Sequence, residues 1–449
     1  MKKFIVLTTA ICVALAVAIP AMAVDVDFSG YYRVRGFMNS NITLSDDGAE
    51  SEAYYDNRFR LQTVFTANDN VSVTTRFDAY DSQWGNQNEE YIDFDRIYMD
   101  IKTDYGLFKI GRQQAGVWGL DFFDDDYNDD RIKYVGKSGD IIFGAIIQKT
   151  EETDSVTAWD PNGEADGDLD VYYGFGIYKK DNIEAGLLGA WARDARTADM
   201  TMNKQALLPY WDLTFGPMGF KGEIVYEMGE MDYDAGDDTD IDALSYALEG
   251  SFNLDMARLY AGWVSVSGQD QSSDDMTAGN LSYGGLGDDY NPFAILTDDL
   301  GAKMLNSHRP ADFQSLAVKV ATYEAQMEAW VAGGMVGPQP AAPNVTLEEA
   351  VAAQGTDMWY LGADVTVNDK LTVNAIMGQA MANEDDYFDD DEYGMEIDLG
   401  ATYQVMDNLQ YSATLAYLMT GDMLGEVMGV DDSDIDDNFG FVHELKVSF

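Results

Sequence analysis

Apolar and polar residues alternate one by one along most of this chain. From Met395 the apolar set is Met395, Ile397, Leu399, Ala401, Tyr403 and Val405, interleaved with Glu396, Asp398, Gly400, Thr402 and Gln404. From Leu409 it is Leu409, Tyr411, Ala413, Leu415 and Tyr417, against Gln410, Ser412 and Thr414. From Leu361 it is Leu361, Ala363, Val365 and Val367, against Gly362, Asp364, Thr366 and Asn368. A strand sends successive side chains to opposite faces, so this period predicts strands with one apolar and one polar face.

The connections alternate too. Tight turns rich in Asn, Asp and Gly fall at 68–70, 104–106, 137–140, 181–182, 216–218, 254–256, 368–370 and 406–408. Between them lie long acidic stretches such as DFFDDDYNDD, DAGDDTDID, DYFDDDEY and DDSDIDD. Short turns at one end and long loops at the other predict an all-β fold, a transmembrane antiparallel β-barrel. Hairpins at each short turn plus a strand at each terminus make about 18 strands, with about 16 as the alternative. Phe65, Tyr105, Phe108, Tyr178, Phe215, Phe220, Phe252, Tyr260, Tyr403 and Tyr411 lie near the short turns, as an aromatic girdle at a membrane–water boundary requires. A soluble sandwich would show the same alternation without needing outward aromatics at one end of its hairpins.

The N-terminus follows different rules. Lys2 and Lys3, an apolar run over 4–19 and small residues up to Ala23 make residues 1–23 a secretory signal peptide, leaving 24–449 as the barrel domain. Cys12, the one cysteine, lies inside that signal, so the mature chain has no disulfide to staple it. The 80 Asp and Glu against 27 Lys and Arg give a net charge of −53, which repels polyphosphate and excludes a nucleic-acid partner. Disorder is excluded by 46% hydrophobic and 12% aromatic residues.

Charge is unevenly placed. Arg33, Arg35, Arg58, Arg60, Arg76, Arg96 and Arg112 crowd the N-terminal part of the chain, and Arg58 and Arg60 alternate with Phe59, Leu61 and Thr63. An arginine facing lipid at mid-bilayer costs about 2–4 kcal/mol, so these residues are expected to face the lumen. Glu184, Glu223, Glu227, Glu249, Asp364, Glu396 and Asp398 are expected to turn inward from later strands. One lumen wall would be basic and the opposite wall acidic, imposing a transverse field on passing solutes. Pairing of these charges with one another inside the lumen is the alternative.

The last segment, GFVHELKVSF, places Phe441, His443, Leu445, Val447 and Phe449 on one face. It resembles the final strand of outer-membrane porins, which ends in Phe and is read by the machinery that inserts barrels. LFKIGRQ, residues 107–113, resembles the strand of general-diffusion porins that leads into a loop folded inside the barrel. The resemblance implies a constriction loop at 114–130, with Asp121, Asp124, Asp125 and Asp126 as its acidic apex and Arg112 in the basic wall with Arg33, Arg35, Arg58, Arg60 and Arg76. The acidic loops and Phe terminus resemble the homotrimeric porins of sulfate-reducing bacteria. That family implies a homotrimer in the outer membrane of a Gram-negative bacterium, in contact with lipid and lipopolysaccharide. It would pass ions and small hydrophilic solutes passively, with no cofactor.

Other features leave choices open. Residues 268–355 are too long for a plain loop. Phe313, Leu316, Val320, Tyr323, Met327 and Trp330 have helical spacing, and Thr346 with Glu349 forms a capping box opening a second helix through Gln354. A helical extracellular lid on the barrel is expected. Glu164, Asp166, Asp168 and Asp170 offer alternate carboxylates for Ca²⁺, while a surface screened by Ca²⁺ or Mg²⁺ is the simpler expectation. The metal question stays open. His308 and His443 have no nucleophile or metal motif around them, so no enzyme is expected. The rival readings are a substrate-specific channel for an anion or sugar, a barrel enzyme, and an acidic adhesion protein.

Overall fold

The structure is a computed structural model. It describes residues 24–44, 51–86, 92–125, 127–152, 167–197, 200–234, 236–270, 272–279, 285–287, 289–301, 304–305, 346–384, 390–428 and 434–449, with single positions between 319 and 335. Residues 1–23, assigned to the signal peptide, lie outside the described residues, as do Asp126, Glu164, Asp166 and His308.

The chain forms one sheet of 18 antiparallel strands. They are β1 (Asp25–Asn39), β2 (Glu52–Asn68), β3 (Val71–Gln83), β4 (Ile92–Thr103), β5 (Gly106–Ala115) and β6 (Tyr127–Ser138). Next come β7 (Ile141–Glu151), β8 (Leu169–Lys180), β9 (Ile183–Asp194), β10 (Met200–Phe215), β11 (Met218–Tyr233) and β12 (Thr239–Asn253). The last are β13 (Ala257–Val266), β14 (Thr356–Asn368), β15 (Leu371–Met381), β16 (Glu392–Met406), β17 (Leu409–Thr420) and β18 (Asn438–Ser448). Each pairs with its neighbours in sequence, and β1 pairs with β18 from Tyr31↔Ser448 to Asn39↔Gly440. The sheet is therefore a closed barrel of 18 strands, and the count of 16 is set aside. The eight tight turns join the hairpins from β2–β3 to β16–β17, all at one rim.

Burial follows the alternation. On β16, Ile397, Leu399 and Tyr403 are exposed on the outer face, whereas Glu396 and Asp398 are buried inside. On β18, register with β1 puts Phe441, His443, Leu445 and Val447 on the face of Gly36, outward, and Glu444 and Lys446 on the face of Arg35 and Arg33, inward. Phe65, Tyr105, Tyr178, Phe215, Phe220, Phe252, Tyr403 and Tyr411 are exposed near the short-turn rim, in keeping with a girdle. Tyr260 departs from it. It turns inward, edge-on to Tyr360 at 6.2 Å, with the Arg258 guanidinium 4.5 Å from its ring centre. Its register with Gly362 places it on the inner face, and that charged partner holds it there.

Helices are few among the described residues. α1 (Leu347–Gln354) opens with the expected box: the Glu349 N–H donates to Thr346 Oγ1, and the Thr346 N–H donates to the Glu349 carboxylate. Its buried residues Ala350 and Val351 pack in one cluster with Met423 and Leu424 of α2 (Asp422–Met428) and with Met358, Tyr393 and Leu418 of the barrel. Within 311–336, the described residues Lys319, Tyr323, Met327 and Trp330 are helical, and Lys319 ties that segment to Glu349 at 2.7 Å.

Leu399 is 56% exposed on the outer face about eight residues above the β16–β17 turn, which a rise of ~3.3 Å per residue and strand tilt place near mid-bilayer. Leu399→Arg is expected to destabilise the barrel by about 2–4 kcal/mol. Denaturant unfolding from phospholipid vesicles, followed by tryptophan fluorescence, measures the change.

Candidate functional site: the divided lumen

Five arginines converge on one inner wall. Arg33 and Arg35 come from β1, Arg58 and Arg60 from β2, and Arg76 from β3, all lining a cavity of about 700 Å³. Register sets Arg33 directly opposite Arg58 and Arg76 opposite Arg96, so like charges face each other across the ladders. That repulsion is offset by carboxylates at alternate positions on the same strands. Arg35 meets Asp56 at 2.5 Å, Arg58 meets Asp81 at 2.6 Å, Arg60 meets Asp78 at 2.6 Å and Arg76 meets Asp95 at 2.5 Å. Arg33 reaches Glu444 of β18 at 4.0 Å. The wall is thus a lattice of ion pairs rather than a bare positive surface. Asp56 and Asp78 sit two residues from Arg58 and Arg76, so the same period could have found them.

Arg112 is not part of this wall. β4 and β5 register Arg112 with Ile97, which is 55% exposed on the outer face. In LFKIGRQ the inward cation is instead Lys109, which pairs with Asp100 at 3.1 Å. Period two permits only one of the two, and strand register selects Lys109. Pairing of β4 with β5 stops at Ile97↔Arg112, although β5 runs on to Ala115 and pairs with β6 up to Tyr127. Arg96 donates to Asn128 at 2.6 Å and to Gln114 at 3.4 Å beyond that point.

The connection after β5 enters the lumen as expected, but it lies against the far wall. The Trp118 indole N–H donates to the Leu208 carbonyl of β10 at 2.8 Å, and its ring is edge-on to Tyr210 at 5.3 Å. Gly119, at φ 72°, lies where a Cβ would come 2.7 Å from the Tyr210 ring, so close approach and backbone both demand glycine. Asp121 begins a 3-10 turn whose Phe122 and Phe123 are buried. Asp124 accepts from the Trp118 backbone N–H at 2.7 Å. Asp124 and Asp125 line a second cavity, not the arginine one. The expected acidic apex therefore does not oppose the arginines, because the apolar residues around it dock on β10.

The acidic side comes from 285–305, inside the long insertion. Asp289, Asp298 and Asp299 line the arginine cavity, and Asp299 meets Arg35 at 2.5 Å. Backbone donors anchor this segment. The Ala294 N–H donates to Asp398, and those of Ile295 and Leu296 donate to Glu396, each at 2.8 Å. Phe293, Ile295 and Leu296 are wholly buried, and Asn39 donates to the Leu300 carbonyl at 3.0 Å. In sequence, NPFAILTDDL shows an apolar island followed by acids, but nothing in it indicates an inward course.

The two inner segments join. Gly287 N–H donates to the Phe122 carbonyl at 3.0 Å, and the Phe122 and Tyr290 rings lie 5.1 Å apart. Together they form a partition across the lumen from β10 to β16 and β1. It leaves the arginine cavity on one side and a cavity of about 360 Å³ on the other.

The inner carboxylates are therefore structural partners rather than an open acidic wall. Glu396 and Asp398 hold the partition. Glu249 pairs with Arg258 and accepts from the Tyr360 hydroxyl at 3.1 Å, while Asp364 lies 3.4 Å from Arg258. Glu227 meets Lys204 at 3.2 Å, and Glu184 pairs with Lys179. Glu223 is 1% exposed against the β5–β6 connection. Asp168 and Asp170, half of the alternate run considered for Ca²⁺, both meet Lys149, at 2.5 and 3.1 Å. Among the described residues, the group of three carboxylates close enough to share a cation is Glu230, Asp232 and Asp238. Its oxygens lie within 4.8 Å of one another and all three residues are exposed.

Removing the carboxylate at Glu396→Ala leaves two buried N–H donors unpaired, each costing about 1–3 kcal/mol. The partition should then detach. Single-channel recordings are expected to show several-fold higher or strongly fluctuating conductance than the unmodified chain.

No protein-family profile and no curated sequence matches this chain. Solved structures of outer-membrane porins do. Pseudomonas aeruginosa OccK2 (OpdF) is 12% identical with a TM-score of 0.52, covering 94% of this chain and 98% of its own. Pseudomonas aeruginosa OccK11 (OpdR) is 10% identical with a TM-score of 0.51, covering 94% and 96%. Pseudomonas aeruginosa OccK8 (OprE) is 12% identical with a TM-score of 0.50, covering 94% and 98%. At such identity the likeness establishes the fold alone: this chain folds as a porin-type outer-membrane β-barrel.

Proposed function

We propose that this chain is a porin of the Gram-negative outer membrane, conducting ions and small hydrophilic solutes passively through a narrowed, polarised lumen. The observation that carries this reading is the arginine cavity. Five arginines line it with seven carboxylates, four of them on β3, β4 and β18 within the same wall and three, Asp289, Asp298 and Asp299, on the inner segment opposite. Fixed opposite charges across a narrow aqueous space order water and hydrated ions without binding either tightly. Such a channel performs no covalent chemistry and uses no cofactor. Ca²⁺ or Mg²⁺ would act only as screening ions between its acidic loops and lipopolysaccharide.

Homotrimerisation belongs to the same proposal. The outer face of β18 and β1–β6 carries His443 packed over Gly36, and Arg112 beside Asp130. Hydrocarbon solvates such groups poorly, and a neighbouring copy covering this face would relieve the cost. We also propose a kinship with the porins of sulfate-reducing bacteria, for which the support is the acidic loops and the terminal Phe449.

A second reading, a substrate-specific channel of the same fold, is favoured by the partition, which divides the described lumen into two separately lined cavities. Saturable flux of one solute would select it.

Reconstitution of the purified mature chain into planar bilayers tests the proposal. Ohmic conductance in steps of one or three is expected. Arg58→Ala with Arg60→Ala leaves Asp78 and Asp81 without their guanidinium partners. The reversal potential across a salt gradient should move toward cations. An unmoved potential would remove the arginine wall from selectivity.

A further inference from the structure

Register lines up the inner residues beside the closing seam in rows. The upper row runs Glu444, Arg35, Asp56 over β18, β1 and β2, and the lower row runs Tyr31, Arg60, Asp78 over β1, β2 and β3. In both, the cation has a carboxylate next to it. The row between them runs Lys446, Arg33, Arg58. It sets three cations side by side, about 4.8 Å apart from strand to strand, with no carboxylate in line. Gln410 of β17 extends the row with an amide. Strands tilt by about 35–45° in a barrel, so the row climbs the wall. Lys446 is near the short-turn rim, where the Ser448 N–H donates to the Asn408 carbonyl at 2.9 Å, and Arg33 and Arg58 line the arginine cavity.

The three cations are unequally compensated. Arg58 meets Asp81 at 2.6 Å and lies 3.8 Å from Asp78, which Arg60 holds at 2.6 Å. Arg33 reaches Glu444 only at 4.0 Å, and its buried Nε has no acceptor among the described residues. Lys446 meets no carboxylate among the described residues. Its ammonium lies 4.6 Å from the centre of the Tyr31 ring, over an aromatic face. Asp27 and Asp25 are the inward carboxylates further down β1, beyond Tyr31 and Ser29. A buried donor without an acceptor carries a desolvation cost that a ligand anion would relieve.

We infer that Lys446 and Arg33 form a binding subsite for small oxyanions, the chemistry shared by carboxylates and phosphates, an inference that rests on the porin reading. The site lies where the arginine cavity gives onto the short-turn rim. An oxyanion carries several acceptor atoms on one centre, so it takes charge-assisted hydrogen bonds from the ammonium and the guanidinium together. A halide offers a single atom and no match to the guanidinium fork. Arg58, next along the row, is a second station for the same anion, which lets it leave as readily as it enters. Glu444 beside the site, and Asp289, Asp298 and Asp299 across the cavity, repel the anion and keep its residence short.

The test uses the full mature chain in planar bilayers bathed in potassium chloride, with inorganic phosphate, acetate and bromide as added probes. Saturable reduction of the current is expected from phosphate, acetate or both, and which of the two saturates identifies the source of the anionic group. Bromide should give none. Lys446→Gln and Arg33→Gln should each raise the half-saturating concentration about tenfold, and Lys446→Arg should restore it. Lys370→Gln removes a charge from the β14–β15 turn at the same rim and should leave that concentration unchanged. No saturable effect of either oxyanion, an equal effect of bromide, or an equal loss with Lys370→Gln would each overturn the inference. The comparison of anions needs no variant, so it decides even if a substituted seam fails to close. Chloride conductance that neither oxyanion reduces would sink the subsite and leave the porin reading standing, whereas a chain that conducts nothing would sink the porin.

Discussion

Every backbone N–H and C=O of a chain crossing hydrocarbon must find a partner within the protein, because no water is available to take its place. A sheet meets that demand only when it has no edges. Here the closing ladder is β1 with β18, running from Tyr31↔Ser448 to Asn39↔Gly440. Phe449 is held by the same seam, its N–H donating to Gly30 and its carbonyl accepting from Gly30. Closure makes an inside and an outside, and with period two it forces each strand to present alternate residues to water and to lipid. The single-residue rhythm of the sequence is the trace of that geometry.

Inside, the governing problem changes from apolar burial to charge. Arginines crowded on β1, β2 and β3 would repel one another, so each is interleaved with a carboxylate from its own or a neighbouring strand. The same economy explains the partition. A segment of irregular backbone inside a barrel carries unpaired N–H groups, and Glu396 and Asp398 accept three of them in succession. Carboxylates that look like a selectivity wall in the sequence are thereby committed to holding chain in place. Apolar residues do the remaining work, with Phe122, Phe293, Ile295 and Leu296 forming one buried cluster in the middle of an otherwise polar lumen.

Much of the barrel is legible in the sequence. Strand number, short and long rims, and the outward series through Phe441, Leu445 and Val447 all follow from alternation and turn chemistry. The capping box at Thr346 was equally legible, since four consecutive residues contain the whole interaction. The LFKIGRQ motif points to Arg112 as the inward cation, but strand parity and register give that position to Lys109. Nearness to a turn says nothing about which face a ring takes, and Tyr260 faces inward beside Arg258.

Local spacing, acting through hydrogen bonds between adjacent strands, was enough to specify a closed tube with a greasy exterior and a charged interior. That the acidic side facing Arg35 is Asp299, 264 residues away in the chain, was beyond its reach. So was the division of the lumen in two, which depends on Trp118 docking on β10 and on Gly287 meeting Phe122. Those contacts join segments with no periodic relation to each other, and their pairing is chosen by shape, burial and unpaired backbone groups that exist only once the barrel has closed.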